Sequence, residues 1–231
     1  MTVLVARVRS MAETGYLAAI RASYDAVAAD YVRLVPKPDA MDPASRSMLA
    51  AFADLVRAAG LGPVADLGCG PGRVTAHLAG LGLPAFGIDL SPKMIMMARR
   101  AYPELRYAVG SMTALGLGDG ALGGILAWYS TYHTPPAQLP GLFAEFHRTL
   151  APGGHLLLGT YTGDDEQLRP ARAFGNHRVF YRSYLMPPGR LGALLGQAGL
   201  TVTARLELPP GPATAPTRRP HACLLARKPA G

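Results

Sequence analysis

The sequence predicts an α/β protein built on a doubly wound, mostly parallel sheet of seven strands, with an antiparallel C-terminal hairpin and an N-terminal helical cap. Three observations carry this. From Gly62 onward, apolar strand-like runs alternate with amphipathic helical ones, the pattern that lays helices over both faces of a parallel sheet. The first run, "PVADLG", leads through the glycine-spaced "CGPG" straight into "RVTAHL". Alternate glycines between a strand and a helix let a ligand approach amides that the helix leaves unpaired. Finally, "TVTARLEL" and "HACLLARK" have no helix between them, so they are expected to pair antiparallel at the sheet edge.

A chain of 231 residues can bury a full core in one domain. The expected organisation is a single domain with residues 1–60 as helical cap, 62–162 and 189–231 as ligand-binding core, and 163–188 as an insertion forming a substrate lid or a dimer edge. In the cap, Tyr16, Ile20, Tyr24, Val27, Tyr31 and Leu34 recur at steps of three and four along "TGYLAAIRASYDAVAADYVRLV", one face of a helix; a break near Ser23 is left open. Pro36, Pro38 and Pro43 force a loop. "SRSMLAAFADLVRAAG" then reads as a second helix with Gly60 as its stop.

In the core, strand "PAFGIDLS" precedes helix "SPKMIMMARRAYP", with Ser91 as N-cap and Pro92 at its first position. Strand "LRYAVGS" follows, then "LGGILAWYS", almost wholly apolar as a strand covered on both faces requires. Helix "PGLFAEFHRTLAPGG" turns into strand "HLLLGTY". The insertion's "HRVFYRSYLM" alternates like a strand, although the alternation does not say which face is wet. "GRLGALLGQAGL" is the last helix.

Composition excludes several classes. The longest apolar runs fall far short of the roughly 20 residues that cross a bilayer. The opening "MTVLVARVRSM" sets arginines inside its apolar run and lacks a small-residue cleavage site; a soluble, cytoplasmic protein is expected, with no membrane partner. Cys69 and Cys223 suggest neither a disulfide framework nor a zinc cluster. The formal charge is +8, yet only Lys37, Lys93 and Lys228 are lysines. The arginines stand singly or in pairs without interleaved aromatics, so nucleic acid is not the expected partner.

The glycine loop discriminates between cofactors. A dinucleotide fingerprint, G-x-G-x-x-G, begun at Gly68 and Gly70 needs its third glycine where Arg73 stands. The glycines are instead Gly68, Gly70 and Gly72, and with Asp66 the stretch "DLGCGPG" resembles the first motif, D/E-x-G-x-G-x-G, of the class I S-adenosylmethionine-dependent methyltransferases. That resemblance implies a Rossmann-like methyltransferase fold, S-adenosyl-L-methionine as cofactor and S-adenosyl-L-homocysteine as product. It assigns Asp66, Gly68, Cys69, Gly70, Pro71 and Gly72 to the cofactor loop. Asp89 in "GIDLS", 23 positions after Asp66, ends strand two as the acid that takes the ribose hydroxyls. Ser111 stands where an acid is usual at the end of strand three, so the Met112 backbone is expected to carry adenine recognition, with Leu90 and Met94 against the ring. "SYDAVAADYV" is similar to the Y-D-x-x-A-x-x-Y stretch of many small-molecule methyltransferases, which implies that Tyr24 and Tyr31 close over the methionine part.

The segment after strand four separates the subclasses. "AWYSTYHTPP" lacks the N/D-P-P-Y/F motif of enzymes that methylate nucleobase amines, and neither cysteine is placed to act as a nucleophile on a pyrimidine. "GDDE" at 163–166 reads as an exposed turn, so no metal is expected. There remain Trp128 and Tyr129, assigned to the cofactor, and Tyr132 and His133, assigned to the acceptor together with Arg182 and Tyr184 of the insertion. His133 is the candidate catalytic base; a binding or structural role stays open. The expected function is methylation of a small molecule on oxygen, with nitrogen or carbon as further options, and natural-product biosynthesis as the setting. The alternatives are an RNA or protein methyltransferase and a cofactor-binding protein without methyl transfer. A homodimer is left open.

Overall fold

The computed structural model describes residues 15–35, 37–210 and 219–230. The opening segment and the centre of the proline-rich link before the last strand lie outside the described residues. Helix α1, Gly15–Leu34, runs through Ser23 without a break, and the Ser23 hydroxyl donates to the Ala19 carbonyl one turn earlier at 2.6 Å. Helix α2, Pro43–Ala59, begins with Asp42 accepting from the Ser45 amide and stops at left-handed Gly60, the residue type that carries a positive φ without strain.

The core then follows as β1 (Val64–Leu67), α3 (Arg73–Gly80), β2 (Ala85–Asp89), α4 (Pro92–Ala101), β3 (Arg106–Val109), β4 (Leu122–Trp128), α5 (Leu139–Thr149) and β5 (Leu150–Tyr161). Ser91 caps α4 by accepting from the Met94 amide at 3.1 Å, as its sequence position predicts. After the insertion come α6 (Pro188–Gln197), β10 (Thr201–Leu208) and β11 (His221–Arg227). The seven-stranded order is β10-β11-β5-β4-β1-β2-β3. The pairs among β1 to β5 are parallel, and β11 is antiparallel to both β5 and β10.

The chain thus starts in mid-sheet, winds outward to β3 and returns to β4 on the other side of β1. That reversal is the switch point where an open α/β sheet leaves a crevice at its carboxyl edge. Leu142, Phe143 and Phe146 of α5 with Leu191 and Leu195 of α6 cover one face. Leu49, Phe52 and Val56 of α2 with Leu78 of α3 cover the other, where Ile95 and Ala98 of α4 pack on Tyr107. No described helix is long and apolar enough to cross a membrane.

The insertion carries two short ribbons, β6 (Glu166–Leu168) with β9 (Ser183–Leu185) and β7 (Arg172–Ala173) with β8 (His177–Arg178). The strand expected from His177 onward is therefore only two short pieces. Between them the chain is held by α1, with the Phe180 amide donating to Ser23 Oγ at 2.8 Å. Val179, Tyr181 and Ser183 face inward, while Phe180 is 61% exposed.

One close contact sets the wall of the crevice: Trp128 of β4 lies beside Gly159 of β5, and a Cβ at Gly159 would sit 2.6 Å from the indole ring. Replacing Gly159 by Ala should overpack this contact and cost about 1–3 kcal/mol. Urea unfolding measures it; an unchanged midpoint would mean that Trp128 moves freely.

Candidate active site

The crevice is framed by four strand ends and roofed by α1. After β1 the chain reverses through Gly68, Gly70 and Gly72, all at positive φ. Two of these admit no side chain. A Cβ at Gly68 would lie 2.3 Å from the Ser130 Cβ, and one at Gly72 would lie 2.5 Å from the Tyr107 hydroxyl. The loop is pinned by its neighbour strand: the Gly68 and Cys69 amides donate to the Ile88 carbonyl at 2.7 and 3.2 Å, and the Gly70 amide donates to Asp89 Oδ2 at 2.8 Å. Asp89 Oδ1 accepts from the Ser91 amide at 2.8 Å. A carboxylate has about four acceptor positions, so these amides leave room for a further donor. Burial raises the Asp89 pKa to about 6 against the pull of these amides.

Asp66 sits behind the loop, taking the Thr75 hydroxyl at 2.6 Å. Burial raises its pKa to about 7, with the Asp89 charge adding to the shift. It therefore shapes the loop from beneath and does not line the cavity. Cys69 is likewise turned away, its sulfur near Gly87, where a Cβ would approach it to 2.6 Å.

The cavity has an empty volume of about 730 Å³ counted out to its mouth, in the range that holds a drug-sized ligand. Of the residues expected to bind cofactor, Tyr24, Tyr31, Gly68, Gly70, Asp89, Leu90, Met94, Ser111, Met112, Trp128 and Tyr129 line it; Asp66, Cys69, Pro71 and Gly72 do not. Tyr129 adopts a φ of 51°, uncommon for a bulky side chain, and so turns the chain at the end of β4 while its amide donates to the Gly159 carbonyl at 2.7 Å. Trp128 Nε1 and Ser130 Oγ are buried without a protein partner, and both residues line the cavity. With the Gly68 cradle and the spare capacity of Asp89, these donors and acceptors fit a nucleoside bearing a polar amino-acid arm.

His133, in the 3-10 turn Thr131–His133, faces the same space. Its Nδ1 lies 2.8 Å from the Arg182 carbonyl and its Nε2 2.8 Å from the Tyr24 hydroxyl. A carbonyl only accepts, so Nδ1 carries the proton, and the Tyr24 hydroxyl donates to the Nε2 lone pair. Burial lowers the His133 pKa to about 4 and holds the Tyr24 phenol well above its usual value. The pair is thus neutral across the physiological range.

The expected acceptor residues divide. Of Tyr132, His133, Arg182 and Tyr184, only His133 lines the cavity. Tyr132 packs behind it, ring centroids 4.2 Å apart. Arg182 is exposed and contributes its carbonyl, not its guanidinium, because inward-facing Tyr181 and Ser183 turn the side chain between them outward. Tyr184 lies in β9 opposite Gln167. The far wall is instead made by Tyr16, Leu17 and Ile20 of α1 with Thr113 and Thr134. Tyr16 and Ile20 share the periodic face of α1, which was the available signal; Thr113 and Thr134 carried none.

The fold and the loop define a doubly wound domain for a nucleoside cofactor. A methyltransferase-domain family matches residues 64–154. An uncharacterised methyltransferase of Synechocystis is 31% identical over 144 residues, 62% of this chain and 68% of that protein. An uncharacterised methyltransferase of Mycobacterium bovis is 29% identical over 146 residues, 63% of this chain but only 51% of that protein, so the chain spans about half the length of this relative. Among solved structures, the Burkholderia thailandensis 1,6-didemethyltoxoflavin-N1-methyltransferase, bound to 1,6-didemethyltoxoflavin and S-adenosylhomocysteine, superposes with a TM-score of 0.64 at 22% identity over 93% of this chain and 89% of that one. The chain belongs to the class I S-adenosylmethionine-dependent methyltransferases.

The neutral state of His133 is open to direct measurement. Since its folded-state pKa lies below the unfolded value of about 6.5, the stability it contributes is present above pH 6.5 and is lost as the pH falls through about 4. Ring nitrogen shifts of labelled histidine should show the Nδ1-protonated form from pH 8 to 5, titrating near 4. A midpoint near 6.5 would contradict the burial argument.

Proposed function

We propose that this methyltransferase transfers its methyl group to a hydroxyl on a small, uncharged, largely apolar molecule. One observation carries the reading: among the described residues, the cavity wall contains no lysine or arginine, and Asp89 is its only carboxylate. Beyond the cofactor loop the wall is Tyr16, Leu17, Ile20, Met112, Thr113, Thr134 and the Tyr24–His133 pair. Such a surface offers no cationic partner to a carboxylate or phosphate, whose charge would go uncompensated on burial.

When bound, S-adenosylmethionine supplies an electrophilic methyl group on a sulfonium sulfur. Asp89 would accept the ribose hydroxyls with the acceptor positions its amides leave free. Leu90, Met94 and the turn at Ser111 and Met112 would hold the adenine, and the Gly68 to Gly72 loop with Tyr31 the methionine arm. An acceptor hydroxyl that gains the methyl group must give up its proton, and the S–CH3 bond broken in the same displacement would leave S-adenosylhomocysteine. Tyr24 Oη takes that proton while passing its own to His133 Nε2, and the Arg182 carbonyl steadies the resulting imidazolium. A weakly basic His133 suits this late transfer, because it stays free to accept at every pH above about 4.

Calorimetry should show S-adenosylmethionine and S-adenosylhomocysteine binding and no NAD binding, with Asp89→Ala weakening the former by about 1–3 kcal/mol. Incubation with a panel of phenols and alcohols beside trans-aconitate and malonate, read by mass spectrometry, should give methylated products from the neutral hydroxyl compounds alone. Methylation confined to the acids would overturn the reading of the wall; NAD binding in place of the sulfonium cofactor would overturn the reading of the loop.

A further inference from the structure

Besides its contacts with the insertion and His133, the helix that roofs the cavity makes two charge–dipole contacts with the core. At its end, the Arg73 guanidinium donates to the carbonyls of Val32 and Val35. These belong to the last turn of α1 and the residue just beyond it, where helix carbonyls lack intrahelical partners and the dipole is negative. Arg73 is the first residue of α3, directly after Gly72 of the cofactor loop. At mid-helix, Asp25 Oδ1 accepts the Ser91 hydroxyl at 2.5 Å and the Lys93 amide at 3.1 Å. This is the N-terminus of α4, where the dipole is positive, and the Ser91 amide is the one held by Asp89.

The roof is therefore tied to the first turns of the two helices that follow the cofactor-facing loop and the ribose-facing acid. Neither Arg73 nor Asp25 lines the cavity; Tyr24 and Tyr31 of the same helix do. Tyr31 rests on the loop, since a Cβ at Gly70 would come within 3.9 Å of its ring.

We propose that Arg73 and Asp25 are positioning residues for the cofactor, holding α1 docked so that Tyr24 and Tyr31 complete the site, and that cofactor binding and α1 docking reinforce each other. The inference rests on the cavity being the S-adenosylmethionine site. A ligand that touches both loop and roof binds fully only where the roof is docked, so its apparent affinity falls with the docked fraction. By linkage, the ligand must in turn protect the roof. Arg73 also acquires a reason to stand where a dinucleotide fold has glycine: its fork spans two carbonyls at once, which a lysine does not reproduce.

The test uses the full chain with S-adenosylhomocysteine as probe. Calorimetry should show Arg73→Ala and Asp25→Asn each weakening it by about tenfold, with Arg73→Lys intermediate. Amide hydrogen exchange should show S-adenosylhomocysteine slowing exchange in α1 of the wild type, and both variants speeding it there while β4, β5 and α5 keep wild-type rates. Should Arg73→Ala fail to fold, Asp25→Asn and Arg73→Lys carry the same comparison. Affinities within about twofold of wild type, or faster exchange throughout the sheet, would overturn the proposal. A wild type that binds no S-adenosylhomocysteine would instead strike the reading of the cavity itself.

Discussion

The structure depends on one half-buried carboxylate at the floor of the cavity. Asp89 ends β2 and takes two amides at 2.8 Å, one from the loop after β1 and one from the turn before α4. Each amide comes from a segment whose backbone has no strand or helix partner at that point, so the carboxylate substitutes for regular structure where two connections meet. The loop can keep its positive-φ glycines, and α4 can start at Ser91, because Asp89 fixes both. Burial pushes its pKa to about 6, and behind it Asp66 is pushed to about 7. Two acids so close are tolerated because Asp89 has backbone amides and Asp66 has Thr75.

From that point the site assembles outward. Asp89 holds Ser91, and Ser91 in turn holds Asp25 of α1 at 2.5 Å. The same helix presents Tyr24 to His133, and the insertion then closes over it: Asp30 meets His177 at 2.7 Å, and Ser23 takes the Phe180 amide. His133 is fixed from both sides, by Arg182 of the insertion and Tyr24 of the cap. One hydrogen-bonded pair thus draws on three segments that are remote in sequence, and its orientation reports whether all three are in place.

Much of this was legible in the sequence. The alternation of strands and helices and the Ser91 cap follow from local periodicity, because each is decided by residues within one βαβ unit, while the roles of the glycine loop and Asp89 were implied by the resemblance to the methyltransferase motif. The aromatic face of α1 was equally visible. What lay beyond reading was decided by contacts across the fold. Arg182 was expected to offer its charge and offers a carbonyl, since only the packing of Val179 and Tyr181 decides which face of that segment is wet. Tyr132 and Tyr184, expected to face the acceptor, do not line the cavity. Arg73 was noticed only for the glycine it replaces; its partners at the end of α1 lie 38 and 41 positions earlier in the chain.

The central claim is that this cavity aligns a sulfonium cofactor, through Asp89, beside the Tyr24–His133 pair. A crystal structure of the S-adenosylhomocysteine complex tests it most directly. Both ribose hydroxyls are expected on the Asp89 carboxylate, with the sulfur directed toward the space that Tyr24 and His133 share with Tyr16 and Ile20. A ribose bound elsewhere, or a sulfur directed away from that pair, would contradict it.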